Sequence, residues 1–148
     1  PAVLHARAAG FRVLVDYNTA GFRYPLSSVI VTQRLLRSNE SAVRRLLEAH
    51  IEAAHRFKTD ANFAMNVIGK YTQTSERAML EETHRVYAAA FERVPYPDLE
   101  AMKLGITQVS ETNPKVRAVD PREFVDGRLL REIEASGFVK RLYGETGK

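Results

Sequence analysis

The amino-acid sequence predicts a mostly helical α/β fold in which two strands come first and five or six helices follow. The segments "FRVLVD" at Phe11–Asp16 and "SVIVT" at Ser28–Thr32 are short and rich in β-branched residues, which is typical of strands. Along most of the remaining chain, apolar residues recur at steps of three and four, which is typical of amphipathic helices. Two strands alone do not form a stable sheet in water, so the pattern predicts that the rest of the sheet lies elsewhere.

The composition limits the class of protein. The chain has 148 residues, of which 45% are hydrophobic and 27% are charged, and these values are typical of one globular domain. The formal charge is +4 and the basic residues are scattered, so we expect no nucleic-acid partner. Cysteine is absent, which excludes disulfides and thiolate metal sites.

The helices are predicted from apolar periodicity and from residues that cap helix ends. A compact helix start, "DPRE" at Asp120–Glu123, is expected to precede the last strong helix, and Gly137 suits the left-handed position after that helix. The predicted helices are 43–57 after Ser38 or Asn39, Asp60 to about Tyr71, a third one after "TQTS", about Leu99 to Glu111, and about Gly127 to Ser136.

The histidines give only weak signals for catalysis or metal binding. His50 and His55 are five residues apart, which points them about 140° apart on a helix, whereas helical metal pairs are usually four apart. His50 lies on an apolar stripe and is predicted to be a packed, hydrogen-bonded core residue, while His84 is predicted to lie at the surface. The sequence therefore predicts no catalytic residue, no metal site and no cofactor.

The loop between the two predicted strands is the best candidate for a ligand site. It combines aromatic rings with hydroxyl groups, which suit a small-molecule site where apolar walls hold a ligand and polar groups orient it. The loop leaves the first strand at its carboxyl end, where ligands bind in open α/β sheets. An ordinary exposed loop is the alternative interpretation. The candidate residues in and beside this loop are Tyr17, Tyr24, Pro25, Ser27 and Ser28.

The order of these segments resembles the second half of bacterial substrate-binding proteins of ABC importers, in the nitrate/sulfonate/taurine and thiamine-pyrimidine-precursor family. The pattern Gly-Phe-x-x-Leu-x-Asp begins at Gly10, and a Tyr-Pro loop and an apolar strand follow it. The segment "SNESAVRRLLEAHIEA" is similar to the family's capped helix, except that Glu40 stands where proline is usual. The tail "DPREFVDGRLLREIEASGFVKRLYG" is similar to the family's ending, so the resemblance covers nearly the whole chain.

The resemblance implies part of a periplasmic-binding-protein type II fold. Residues 1–148 would be a single partial domain, with 1–10 at the end of the second lobe or at the hinge and 11–148 in the first lobe. The implied function is capture of a sulfonate, nitrate, aromatic acid or pyrimidine-like solute by hinge closure, and its delivery to the membrane subunits of an ABC permease. Tyr24, Pro25, Ser27 and Ser28 would lie at the cleft rim, with His5 as a further candidate.

The resemblance also implies a periplasmic or other extracytoplasmic location, and a lipid anchor is compatible with that location. It implies no enzymatic activity. Two alternatives stay open: an enzyme like those that make the thiamine pyrimidine, and a stand-alone helical domain for ligand sensing or interaction. The stand-alone domain predicts a stable monomer that buries its own strands. A partial domain predicts instead a homodimer, or a swapped assembly, that covers the exposed strand edges.

Overall fold

The computed structural model describes residues 2–16, 21 and 28–145. Within these ranges the chain is mostly helical, with eight α-helices and two short 3₁₀ turns. The helices are α1 (Ala2–Ala8), α2 (Gln33–Ser38), α3 (Glu40–Thr59), α4 (Ala61–Thr72), α5 (Arg77–Ala90), α6 (Leu99–Thr112), α7 (Arg128–Ala135) and α8 (Phe138–Leu142), and the 3₁₀ turns are Pro114–Val116 and Pro121–Phe124. Among the described helices, none combines the length and the hydropathy that crossing a membrane requires.

The two predicted strands are not formed in the described part of the chain. Residues 11–16 and 28–32 lie outside regular structure, and their apolar side chains face solvent, with Leu14 91% and Ile30 89% exposed. A strand is stable only when a neighbouring strand takes up its N–H and C=O groups, and neither segment has such a neighbour here. The prediction of two strands was therefore wrong for these residues, whereas the prediction of a mostly helical chain is confirmed.

Helix α3 is the longest element, and its ends follow the capping residues that the sequence predicts. The side chain of Asn39 accepts a hydrogen bond from the backbone N–H of Ala42 (3.2 Å), which satisfies one free donor of the first turn. At the other end, the backbone N–H of Asp60 donates to the carbonyl of Arg56, and the Asp60 carboxylate accepts from the N–H of Phe63 (2.9 Å). Asp60 therefore ends α3 and begins α4 at one position.

The main apolar core lies where α3 meets α7 and α8. Ile51 on α3 and Ile133 on α7 are completely buried. The hydrophobic pattern of α7 places Leu130 and Ile133 on the face that packs against α3, because residues three apart share one face of a helix. The remaining members of this core are Val94 and Val139, and the partly buried side chains packed against it are Leu47, Phe138, Leu142 and Tyr143.

Helices α4 and α5 form a hairpin that packs beside α3. Helix α4 ends at Gln73, which adopts a left-handed conformation (φ 54°), and the chain then turns into α5. Ala64 on α4 and Met79 on α5 are buried. Gly69 makes the turn possible, because a Cβ atom at this position would lie 2.9 Å from the carbonyl oxygen of Thr74.

Helix α6 packs against the two 3₁₀ turns that follow it. The Asp98 carboxylate caps α6 by accepting hydrogen bonds from the N–H groups of Glu100 (2.9 Å) and Ala101 (3.1 Å). The predicted helix start "DPRE" is confirmed as a capped start, since Asp120 accepts from the N–H of Arg122 (2.9 Å). The element that it begins is a single 3₁₀ turn rather than a longer helix.

Replacing Ile51 by alanine should destabilise the chain strongly, because the side chain is fully buried and its removal leaves a cavity. We expect the free energy of unfolding to fall by about 2–5 kcal/mol. The control is Leu46→Ala on the same helix, where the side chain is about half exposed and the loss should stay below about 1 kcal/mol. Urea unfolding followed by circular dichroism measures both values, and equal losses would contradict the central position of Ile51.

Replacing Gly69 by alanine should also destabilise the chain, although alanine has the higher helix propensity. Propensity alone favours alanine by about 1 kcal/mol in a helix interior. The contact of 2.9 Å with the Thr74 carbonyl forces the α4–α5 turn to shift, and we expect this strain to outweigh that gain. Asn66→Ala, at an exposed position one turn earlier in α4, is the matched control and should be neutral or stabilising. A Gly69→Ala variant more stable than Asn66→Ala would refute the proposed clash.

Candidate functional site

The residues predicted to bind a ligand are only partly within the described chain. Tyr17, Tyr24, Pro25 and Ser27 lie outside the described residues. Ser28 is exposed and follows this gap directly, and His5 is exposed on α1. No hydrogen bond joins His5 to Ser28 within the described ranges. The ligand site in the loop therefore stays a prediction.

The histidines lie in places that differ from those predicted. His50 is exposed, so the prediction of a packed core histidine was wrong; α3 packs against its neighbours through other faces. His84 is half-buried rather than superficial, and its ring nitrogen lies 2.8 Å from the carbonyl oxygen of Phe57. His55 packs edge-on against Tyr143, with ring centroids 4.5 Å apart. Among the described residues, no three histidine or acidic side chains are placed to hold a metal ion.

Two adjoining surface grooves in the described part of the chain share Arg131. The first, of about 460 Å³, lies between the Tyr96 segment and the start of α7. The second, of about 440 Å³, lies along the end of α7. The residues that line them are Tyr96, Pro97, Arg122, Val125, Asp126, Gly127 and Arg131 in the first groove, and Arg131, Glu134, Ala135, Gly137 and Lys140 in the second.

Three polar side chains, Tyr96, Arg131 and Glu134, line these grooves, and Arg131 lines both of them. The Tyr96 hydroxyl donates a hydrogen bond to the Glu134 carboxylate (2.8 Å). Loss of hydration raises the pKa of Tyr96, and the hydrogen bond and negative charge of Glu134 raise it further. Arg131 approaches closely because position 127 is glycine: a Cβ there would lie 3.0 Å from the Arg131 Nη1 and 3.4 Å from the Tyr96 ring. The guanidinium has no carboxylate within ion-pair distance among the described residues.

The chemistry available in these grooves is weak recognition of an anion by Arg131 and Lys140. Both grooves are open to solvent, whereas small-molecule sites typically bury about 70–90% of the ligand surface. The sequence analysis did not select these residues, because no motif links Tyr96 to Glu134 across 38 positions. The only local signal is that Tyr96 stands between two prolines, which fix the course of the backbone around it.

A cluster of four charged side chains joins the start of α3 to α7. Arg128 donates to Glu40 (2.6 Å) and to Glu132 (3.2 Å), and Arg44 pairs with the other oxygen of Glu132. The hydrogen bond from Arg128, more than the charges around it, lowers the pKa of Glu40. The pKa of Arg128 is raised, first by its hydrogen bond to Glu40. The cluster therefore holds two helices in register and favours the ionised form of Glu40.

Comparisons with known proteins do not identify a family for this chain. No protein-family model, curated protein or solved structure matches the chain. The roles of individual residues therefore depend on the contacts described above.

Replacing Arg128 by glutamine should lower stability at neutral pH and have little effect in acid. A lowered folded-state pKa of Glu40 means that its ionised form stabilises the folded chain above the unfolded-state pKa of about 4.3. As the pH falls below that value, this contribution is lost in the original chain, and the variant has none to lose. Urea midpoints at neutral pH and near pH 3 should therefore differ and then converge. Arg45→Gln, an exposed neighbour, is the control and should match the original chain at both.

Proposed function

We propose that this chain is the first-lobe portion of a solute-binding protein of an ABC import system, which captures a small molecule by hinge closure and delivers it to a membrane permease. The main supporting observation is that two strand-type segments expose most of their apolar side chains, while the described residues form no sheet that these segments could join. In the family that the sequence resembles, the corresponding segments belong to a sheet that other parts of a two-lobed protein complete. No bond chemistry is involved in this function.

The exposed segments have the composition of a buried sheet rather than of a surface loop. Phe11 is 70% exposed and Val15 is 60% exposed, in addition to Leu14 and Ile30. Leaving a large apolar side chain in water instead of burying it forgoes about 1.5–3 kcal/mol. Runs of such residues mark surfaces that another part of the protein or a partner covers.

The total surface supports the same conclusion. The chain exposes 11355 Å² of accessible surface. A compact monomer of 16.7 kDa is expected to expose about 7,600 Å² by the usual scaling of area with mass. The excess indicates that the helices pack on one another only in part, and that further layers complete the core.

Helix α3 shows where one further layer would lie. Val43, Leu47 and Ile51 face the core, whereas Leu46 and His50, which lie one turn apart on another face, are exposed. Leu46 is therefore an exposed apolar side chain on a second face of α3, and in α/β proteins helices pack between neighbouring helices and a sheet. The exposed face of α3 is therefore the surface on which we place the sheet.

The ligand site belongs to the loop between the two strand-type segments. Tyr17 and Tyr24 would provide aromatic walls, and Ser27 and Ser28 would donate hydrogen bonds to a sulfonate, a nitrate, an aromatic acid or a pyrimidine-like ring. Arg23 in the same loop can supply a positive charge for an anionic ligand. The permease subunits and an extracytoplasmic location are parts of the same proposal.

Thermal unfolding of the complete gene product with a panel of these solutes tests the proposal. A ligand that binds only the folded state stabilises it by about 2.7 kcal/mol at a hundred times its dissociation constant. We therefore expect one solute class to raise the melting temperature by several degrees. If no sulfonate, nitrate, aromatic acid or pyrimidine raises it, the solute-binding function is refuted.

Two variants then locate the site. Tyr24→Ala should abolish the ligand-induced rise in melting temperature without changing the melting temperature of the free protein by a similar amount. Tyr71→Ala, at a largely exposed position on α4, is the matched control and should keep the full rise. A Tyr24→Ala protein that binds as well as the control would place the ligand elsewhere.

A further inference from the structure

An apolar line runs along α3 on the side away from the core. Its members recur at alternating steps of four and three residues, which is the spacing of the contact line between two packed helices. They are Ala42, Leu46, Ala49 and Ala53. The last three are exposed and Ala42 is half-buried, whereas the fully buried Ile51 points to the opposite side of the helix. The described core therefore leaves this line open.

Two opposite charges lie beside this line, on the same edge of the helix. Arg45 and Glu52 are seven residues apart, so they lie two turns apart along that edge. Both are exposed. Unlike the neighbouring Arg44 and Arg56, they form no hydrogen bond or ion pair through their side chains with any described residue. Both charges are therefore available to a partner.

We propose that two copies of this chain associate through α3, which packs against α3 of the second copy as an antiparallel pair about a two-fold axis. In this arrangement Leu46 of each copy lies against Ala49 of the other, and Ala42 of each copy lies against Ala53 of the other. The small side chains let the helix axes approach to about 8 Å, at the short end of helix packing distances. Because the axis is two-fold, every contact occurs twice.

The charges favour a second copy in this orientation. When the apolar residues are aligned in the antiparallel pair, the edge with Arg45 and Glu52 meets the same edge of the other copy. Arg45 of each copy then lies beside Glu52 of the other, which gives two attractive pairs. In a parallel pair the opposite edges meet, and Arg45 faces His50 instead of an acidic side chain. The face is therefore complementary to itself only in the antiparallel arrangement.

The size of the contact limits its strength. About three turns of helix on each side bury far less than the roughly 1,600 Å² of a standard interface. We therefore expect a dimer that dissociates on dilution, and a monomer at the low micromolar concentrations of an unfolding experiment. The two charge pairs determine the orientation of the dimer more than its affinity.

This association concerns the 148-residue chain and is tested without any ligand. In a complete two-lobed protein the sheet would cover the same side of α3. Failure of the dimer therefore leaves the solute-binding proposal unaffected, and failure of ligand binding by the complete gene product leaves the dimer unaffected.

Sedimentation of the 148-residue chain from low micromolar to millimolar concentration measures the association. Arg45→Glu and Glu52→Arg should each weaken the dimer about tenfold, because each change turns two attractive contacts into repulsive ones. The double variant with both changes exchanges the charges and should restore association. Lys140→Glu is the control, because it changes the net charge as Arg45→Glu does but lies exposed on α8, which packs on the core side of α3. This variant should associate like the original chain.

Three results would overturn the proposal. The first is a monomer at every concentration. The second is single variants that associate as well as the original chain, and the third is a double variant that associates no better than the single ones.

The absence of cysteine permits an independent test of the orientation. In the antiparallel pair, residue 42 of one copy faces residue 53 of the other, within the Cα separation of about 4.4–6.8 Å that a disulfide spans. Two copies of either residue lie roughly 16 Å apart along the axis, because eleven residues separate these positions. Under mild oxidation we expect a covalent dimer from a mixture of the Ala42→Cys and Ala53→Cys chains, and little from either variant alone. Equal cross-linking of each variant alone would show that the helices do not pair in this way.

Discussion

Burial of Ile51 on α3 against Ile133 on α7 is the constraint on which the described fold depends. These are the two large side chains that lose all contact with water, and they lie 82 positions apart, so α7 must return to the middle of α3. That return brings Val94 into the same cluster and carries Tyr96 to the side of α7. It also aligns the charges of α7 with those at the start of α3. The ion pairs follow from the apolar contact, since exposed ion pairs alone are worth at most about 1 kcal/mol each.

The same constraint explains why so much of the chain is left uncovered. Helix α3 packs against α7 and α8, and it also packs against α4 and α5. Once these contacts are made, Leu46 and His50 on another face of α3 stay exposed, and the segments at 11–16 and 28–32 form no strand within the described residues. A helical layer without its sheet can keep its own helix–helix contacts, because they are local to α3. A strand cannot keep its structure in the same way, because its hydrogen bonds belong to its neighbour.

This difference decides where sequence-based prediction succeeded. Asn39, Asp60 and Asp98 form hydrogen bonds with backbone groups only a few residues away, so helix starts were predictable from local sequence. The position of His50 was not, because apolar periodicity shows which residues share a helix face and not whether anything covers that face. The groove around Arg131 was not predictable either, since it depends on contacts between residues far apart in sequence. The loop that was selected as a ligand site was chosen from composition alone, and it lies outside the described residues.

The sequence by itself determined the longer helices, the capping residues Asn39 and Asp60, and the strand-like composition of two early segments, because each of these depends on the chemistry of neighbouring residues. The tertiary structure alone decided that α3 and α7 share one core, that Tyr96 meets Glu134, and that the strand-like segments form no strand within the described ranges. The physical reason is that burial and strand pairing each require a second surface. The composition of a segment can favour them, but it does not show which other segment provides that surface.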